Sequence, residues 1–164
     1  MKVVALTGAG ISRESGLLTF RDSDGLWAGH RIEDVCTPMA LARDPQRVLD
    51  FYNYRRREVA KAEPNPAHLA LAALEQHHEV TIITQNIDDL HERAGSSRII
   101  HIHGEVFKAR SMTNFGVVQE VRGDVNLGDL AEDGSQLRPH ICFFHETPYD
   151  WDLAVEEALS ADIF

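Results

Sequence analysis

A chain of 164 residues, 43% hydrophobic and 26% charged, has globular composition, which excludes a disordered or fibrous chain. Asp and Glu number 26 against 16 Lys and Arg; the net charge of -10 repels phosphate backbones, so no nucleic-acid partner is expected and basic partners suit the surface. No apolar run is long enough to cross a bilayer, and no basic-then-apolar leader opens the chain, so a cytoplasmic protein without a membrane partner is expected.

Lys2–Thr7 (KVVALT) is a short β-branched run closed by Gly8-Ala9-Gly10, the pattern of a buried strand entering a tight turn. Asp44 caps and Pro45 opens a helix running to about Lys61, with Val48, Leu49, Tyr52 and Val59 at helical spacing. Asn65-Pro66 repeats that start signal before the amphipathic stretch AHLALAALEQ. Val80–Thr84 reads as the next buried strand, Ile87–Ala94 as a short helix stopped by Gly95, and Arg98–His101 as a third strand. Residues 111–136 are polar and glycine-rich, a loop-rich module. Ile141–Phe144 reads as an apolar strand, Asp150–Ala161 as a helix with acidic residues in its first turn, and Asp162–Phe164 as the opening of one more strand. Alternating strands and helices predict an α/β fold with a mostly parallel sheet and helices packed on its faces. Cys36 and Cys142 are far apart and in no metal spacing, which predicts two reduced thiols.

Three features bear on chemistry. Glycine lets backbone N–H groups approach an anion, so Gly8-Ala9-Gly10 suits a nucleotide phosphate; a dinucleotide fingerprint would need a third glycine where Arg13 stands, and a plain structural turn reads equally well. His103 has the side chain whose reference pKa of about 6.5 suits a general base, although a strand-end histidine can be merely hydrogen-bonded. On a strand, His101 and His103 would point the same way, the pattern of a metal pair. Tyr52 and Arg55 lie three apart on one helix face and together suit a carboxylate; the alternative is a solvated basic face of Arg55, Arg56 and Arg57 with Tyr52 in the core.

The blocks GAGISRESGLLTFR (8–21), DGLW, TQNIDDLHERAG (84–95), HIHGE (101–105), RPHICFFHE (138–146) and the closing ADIF, in this order, resemble the sirtuins. That resemblance implies an NAD-dependent protein lysine deacylase that transfers the acyl group to ADP-ribose and releases nicotinamide. It implies a Rossmann-like catalytic domain over 1–107 and 138–164 with a small module at 108–137. Gly8, Ala9 and Gly10 are then expected to cradle the pyrophosphate, Arg21 to sit in the cofactor loop and Phe20 to shield the reacting sugar. Asn86 and Asp88 are expected at the nicotinamide carboxamide and Gln85 near the ribose hydroxyls, with Ile11, Ser12, Trp27 and Ile87 as further cofactor contacts. His103 matches the general base, and His103, Asn86 and Asp88 form the catalytic set. Tyr52 and Arg55 match the Tyr-x-x-Arg pair of sirtuins that remove succinyl or malonyl groups, and Ile141 and Phe144 wall the acyl-lysine tunnel. The expected partners are acyl-lysine proteins or peptides.

Three departures matter. Sirtuins carry a four-cysteine structural zinc in the module, whereas residues 108–138 contain neither cysteine nor histidine and Ser111 stands where a first cysteine aligns, so the expectation is no zinc and a module that folds by packing or is partly mobile. The family's Phe-Gly-Glu loop reads Phe144-His145-Glu146, which puts a side chain where positive φ favours glycine. The family also continues beyond ADIF with elements that hold the adenosine, so weak NAD binding and self-association through an incomplete sheet are expected of this chain alone. The alternatives are an NAD-consuming ADP-ribosyltransferase or hydrolase, or an inactive interaction module.

Overall fold

A computed structural model describes residues 1–19, 29–164 and the backbone of 26–27. In chain order the elements are β1 (Lys2–Thr7), a 3-10 helix (Ala9–Ser15), β2 (Leu26–Trp27), β3 (His30–Arg31), α1 (Ile32–Val35), α2 (Pro38–Arg43), α3 (Pro45–Lys61), α4 (Pro66–Leu74), β4 (Glu79–Thr84), α5 (Leu90–Ala94), β5 (Ile99–His101), β6 (Gly104–Ser111), β7 (Val118–Glu120), β8 (Leu137–Ile141) and α6 (Trp151–Leu159). Strands β1, β4 and β5 form a parallel sheet in the order β1-β4-β5, with Thr7 opposite Thr84 and Thr84 opposite His101. All three strands therefore end on the same edge, and the loops that leave them converge there. A parallel bridge from Val3 to Ile163 brings the expected closing strand beside β1, with Val4 N–H donating to the Ile163 carbonyl at 2.9 Å.

Local chemistry explains most of these elements. The Asp44 carboxylate accepts from Arg47 N–H at 3.1 Å, which caps α3, and Pro45 occupies the first turn, where no partner for its missing N–H is needed. Asn65 and His68 form a reciprocal capping box on α4. Side chains on β4 alternate: Thr81 donates to Glu157 of α6 at 2.9 Å, and Ile83 joins Val4, Ile100, Ile102 and Ala154 in one cluster on the same side. Each buried Val or Ile in that cluster contributes roughly 1.5–3 kcal/mol relative to exposure. The apolar stripe of α3 sends Val48, Phe51 and Tyr52 into a second cluster with Cys36, Ile141 and Phe143.

Two predicted elements are corrected. The helix expected over Ile87–Ala94 starts only at Leu90, because Val106 N–H takes the Ile87 carbonyl at 2.8 Å and the Asp88 carboxylate accepts from Leu90 N–H at 3.2 Å. The strand expected over Ile141–Phe144 instead spans Leu137–Ile141 and pairs antiparallel with β6, outside the parallel sheet. Phe143 N–H donates to Glu146 at 2.8 Å and Phe144 N–H to the Cys36 carbonyl at 3.0 Å, which turns the chain out of the strand.

The polar stretch after Ser111 also has more structure than its composition suggests. Strands β7, β6 and β8 form an antiparallel sheet around Ala109, Val125, Ala131 and Leu137, which pack on Leu49 of α3. Buried side chains of α3 hold this module: Asn53 brackets the Val125 peptide with two bonds of 2.9 Å, and Arg56 donates to the Val106 and Gly123 carbonyls. The module is thus a small sheet packed on α3.

Gly104 joins the two sheets. It has φ +84°, and a Cβ there would lie 2.1 Å from the His140 carbonyl oxygen. Gly104→Ala is expected to destabilise the chain by at least about 2 kcal/mol, read as a lower denaturant midpoint at unchanged slope. An unchanged midpoint would show that β6 and β8 do not make this close approach.

Candidate functional site

The loops after β1, β4 and β5 meet in a polar cluster. Thr7 and Thr84, paired across the strands, share a hydroxyl bond of 2.9 Å, and the chain then leaves β1 through Gly8 and β4 through Gln85. The Asn86 side chain ties these loops, its Nδ2 donating to the Gly8 carbonyl and the Ser12 hydroxyl at 3.1 Å each. Ser12 in turn donates to Asp88 at 2.9 Å. Burial raises the Asp88 carboxyl above its ordinary value, against the lowering bonds from Ser12 and Leu90 N–H.

The third loop brings two histidines onto the second. His103 Nδ1 lies 3.1 Å from the Gln85 carbonyl, and His101 Nδ1 lies 3.1 Å from the Asn86 carbonyl. A carbonyl only accepts, so both Nδ1 atoms carry hydrogen and neutral His103 has its lone pair on Nε2. Burial lowers the His103 pKa, with the Gln85 bond opposing, which keeps that lone pair unprotonated near neutrality. The two histidines do not act as a pair: β5 ends at His101, and the two rings have separate partners. His101 Nε2 bonds Glu92 at 2.6 Å; burial works against its charged form, but Glu92 outweighs burial and the pKa is raised. Among the described residues, Glu92, His101 and Glu105 do place ligand-type atoms within 4.8 Å of one another, but Glu92 is matched by His101 and Glu105 by Lys108.

A cavity of about 510 Å3 opens against these loops. One part of its wall is polar, with Ala9, Ser12, Gln85, Asn86, Asp88 and His103; the other is Leu17, Val59, Ile87, Ile141, Phe143 and Phe144, together with Cys36, Cys142 and Arg55. Ile141 and Phe144 both line this cavity. The turn behind them is held by Arg138, which donates to both Glu146 oxygens at 2.8 and 3.1 Å and to the Ile141 carbonyl. His145 adopts φ 73°, so the backbone keeps a glycine-like conformation despite its side chain.

Tyr52 and Arg55 separate. Arg55 is buried and lines the cavity, so it is not part of a solvated basic face. Tyr52 is fully buried and does not line the cavity; its hydroxyl donates to Cys36 Sγ at 3.2 Å and its ring stacks on Phe143. Tyr52 thus stands one residue behind the cavity wall, in contact with Cys36, which lines it. Gly8, Gly10 and Ile11 sit in the first loop beside the lining residues. Phe20, Arg21 and the Trp27 side chain lie outside the described residues.

Sequence reasoning missed His68, His91, Cys36 and Cys142. His68 accepts from Asn65 N–H at Nδ1 and so presents Nε2–H to Ser12 at 3.5 Å, while His91 Nε2 lies 3.0 Å from Thr7. Burial, with His68 beside it, pushes His91 down to about 4. The Asn65-x-x-His68 spacing of a capping box was the available signal for His68; nothing in the pattern places the cysteines in a cavity wall.

In the module, Ser111 is the centre of a hydroxyl cluster, bonded to Asp133 and Ser135 at 2.6 Å each and accepting from Thr113 and Asn114 N–H. Hard oxygens satisfied by one another do not fit a tetrahedral zinc site.

Residues 8–164 match the model of the Sir2 family. A protein named NAD-dependent protein deacylase from Helicobacter pylori (strain ATCC 700392 / 26695) is 59% identical over 144 residues, covering 88% of this chain and 63% of its own length. The chain therefore spans less than two thirds of that relative. Among solved structures, a Sir2 homolog–NAD complex superposes with a TM-score of 0.87 at 42% identity, covering 98% of this chain and 65% of the other. A Sir2 bound to acetylated peptide superposes with a TM-score of 0.74 at 32% identity, covering 96% and 64%. On the match over residues 8–164 and these similarities, this chain belongs to the Sir2 family.

Proposed function

We propose that this chain carries the catalytic face of an NAD-dependent protein lysine deacylase, acting on acetyl-lysine and, through Arg55 and Tyr52, on succinyl- or malonyl-lysine. The observation that carries the reading is His103: its Nδ1 is fixed on Gln85 and its Nε2 is left as an acceptor at a cavity polar on one part of its wall and apolar on the other. The relatives' name, NAD-dependent protein deacylase, supports it, as do solved Sir2 complexes with NAD and with acetylated peptide.

The residues present fit a dinucleotide. A side chain on Gly10 would meet no atom of the described residues within 4 Å, so their packing does not require glycine there, whereas close approach of backbone to phosphate does. Gly8, Ala9, Gly10 and Ser12 would hold the pyrophosphate, Gln85 the ribose, and Asn86, Ile87 and Asp88 the carboxamide. When bound, NAD supplies the sugar carbon that receives the acyl oxygen and the nicotinamide that departs.

The chain's own part is to orient and to move one proton. Asn86 fixes the first loop against the second, so that both present their polar groups to one space. Leu17, Val59, Ile87, Ile141 and Phe143 exclude water from the reacting centre. His103 Nε2 accepts a hydroxyl proton, and Gln85 stabilises the imidazolium that results.

Acetyl- and succinyl-lysine peptides of one sequence, incubated with and without NAD, test the reading. His103→Gln is expected to lower NAD-dependent acyl release from both peptides by about 10²–10⁴-fold. Release without NAD, release indifferent to His103, or attachment of ADP-ribose to the peptide in place of acyl loss would contradict it. Tyr52→Phe with Arg55→Met is expected to depress succinyl release far more than acetyl release; equal loss would remove the acidic-acyl specificity. The pH profile of kcat/KM should be flat on the alkaline side and fall on acidification only below the ordinary histidine value of 6.5, because burial lowers the pKa of His103 and the unprotonated ring is the working form. An acid limb above 6.5 would assign the base to another group.

A further inference from the structure

Two buried arginines face each other across the small sheet and share one counter-charge. Arg110 of β6 stands opposite Arg138 of β8 in the antiparallel register, and both side chains are buried. Opposite residues of such a pair lie on one face, where like charges repel. Among the described residues, Glu146 is the one carboxylate that ion-pairs with either. Its Oε1 lies 2.8 Å from Arg138 Nη1 and 3.6 Å from Arg110 Nη2, and its Oε2 accepts from Arg138 Nη2 at 3.1 Å and from Phe143 N–H at 2.8 Å. Burial works against the Glu146 charge, but the Arg138 bonds, Phe143 N–H and the charges of both arginines hold its carboxyl below the ordinary value. Arg110 is anchored in the module, its guanidinium 3.8 Å from the Phe115 ring centre. Glu146 lines the cavity with Phe143, Phe144 and His145, and the Arg138 guanidinium lies 4.1 Å from the Phe143 ring centre. A shared carboxylate thus connects the module to the cavity wall.

We propose that Arg110 is a positioning residue for acyl-peptide binding: from the small module it holds Glu146 jointly with Arg138, and so fixes where the Phe143–Glu146 turn stands in the cavity wall. The inference rests on the deacylase reading and extends it to a residue outside the cavity. Two cations fix one carboxylate more closely than one does, because a shift toward either lengthens the ion pair to the other. Neutralising Arg110 removes one pull; the carboxylate closes on Arg138, and Phe143, whose N–H it holds, moves with it. The two substrates respond unequally. An acyl-lysine brings a long aliphatic stem, which suits the wall that carries Phe143 and Phe144. The groups assigned to NAD stand on the loops after β1 and β4, which Asn86 ties together. Arg110 therefore acts on the peptide and not on the dinucleotide.

The test measures KM for an acetyl-lysine peptide, KM for NAD and kcat in the parent chain, Arg110→Met and Arg110→Lys. Methionine removes the charge and is expected to raise the peptide KM about two- to thirtyfold, with the NAD KM and kcat unchanged. Lysine restores the charge, so its peptide KM is expected to fall between those of the parent and the methionine variant. A second measurement reads the shared carboxylate without activity: the denaturant midpoint of Glu146→Gln, made in the parent and in Arg110→Met. Glutamine leaves two buried cations unpaired in the parent and one in the variant, so the midpoint is expected to fall further in the parent. Arg110→Gln, also neutral, takes the place of methionine in both measurements if the methionine variant does not fold. An unchanged peptide KM, an NAD KM that rises as much as the peptide KM, or equal falls in midpoint would overturn the inference while the deacylase reading stands. If the parent chain releases no acyl group, the deacylase reading fails and takes the inference with it.

Discussion

One primary amide holds the site together. Asn86 Nδ2 reaches the Gly8 carbonyl and the Ser12 hydroxyl, so the loop that leaves β1 and the loop that leaves β4 are a single unit rather than two neighbours. This is possible because the strands are parallel and in register at Thr7 and Thr84, which brings the two loop starts side by side. The same segment then uses its backbone: the carbonyls of Gln85 and Asn86 hold His103 and His101. Two neighbouring residues thus set the geometry of the glycine loop and the tautomer of the histidine. Asn86 and Ser12 are buried, so loss of the bond between them would leave unsatisfied polar atoms, which makes this part of the arrangement costly to disturb.

The apolar wall is set by a different constraint. Arg138 forks onto Glu146, and Glu146 also takes Phe143 N–H, so the turn from Phe143 to Glu146 is braced by a charge pair behind it. That bracing keeps His145 at a φ that a histidine adopts only at a cost. It also presents Phe143 to the Tyr52 ring, which couples the wall to α3. Helix α3 therefore serves both parts of the molecule, with Tyr52 and Arg55 toward the cavity wall and Asn53 and Arg56 toward the small module.

Much of this was legible in the sequence because it rests on local signals. The strands of the parallel sheet are short apolar runs, and α3 and α4 announce themselves by Asp44-Pro45 and Asn65-Pro66. The motif blocks pointed to Gln85, Asn86, Asp88 and His103, and the structure brings all four to one cavity. What was not legible depends on partners distant in the chain. Ile87 looks helical until Val106 takes its carbonyl, and Phe143 looks like strand until Glu146 takes its N–H. Residues 111–136 look like loop because their core is completed by Leu49 and Asn53, some seventy residues away from Val125. Tyr52 has the spacing of a ligand contact, and only the position of Cys36 shows that its hydroxyl is already engaged.

The central claim is that Asn86 makes the first two loops one cooperative unit, and amide hydrogen exchange on Asn86→Ala tests it most directly. The expected result is that residues 8–15 and 85–90 lose protection together and by the same factor, while the interiors of β1 and β4 keep theirs. Loosening of one loop without the other, or protection unchanged in both, would contradict it.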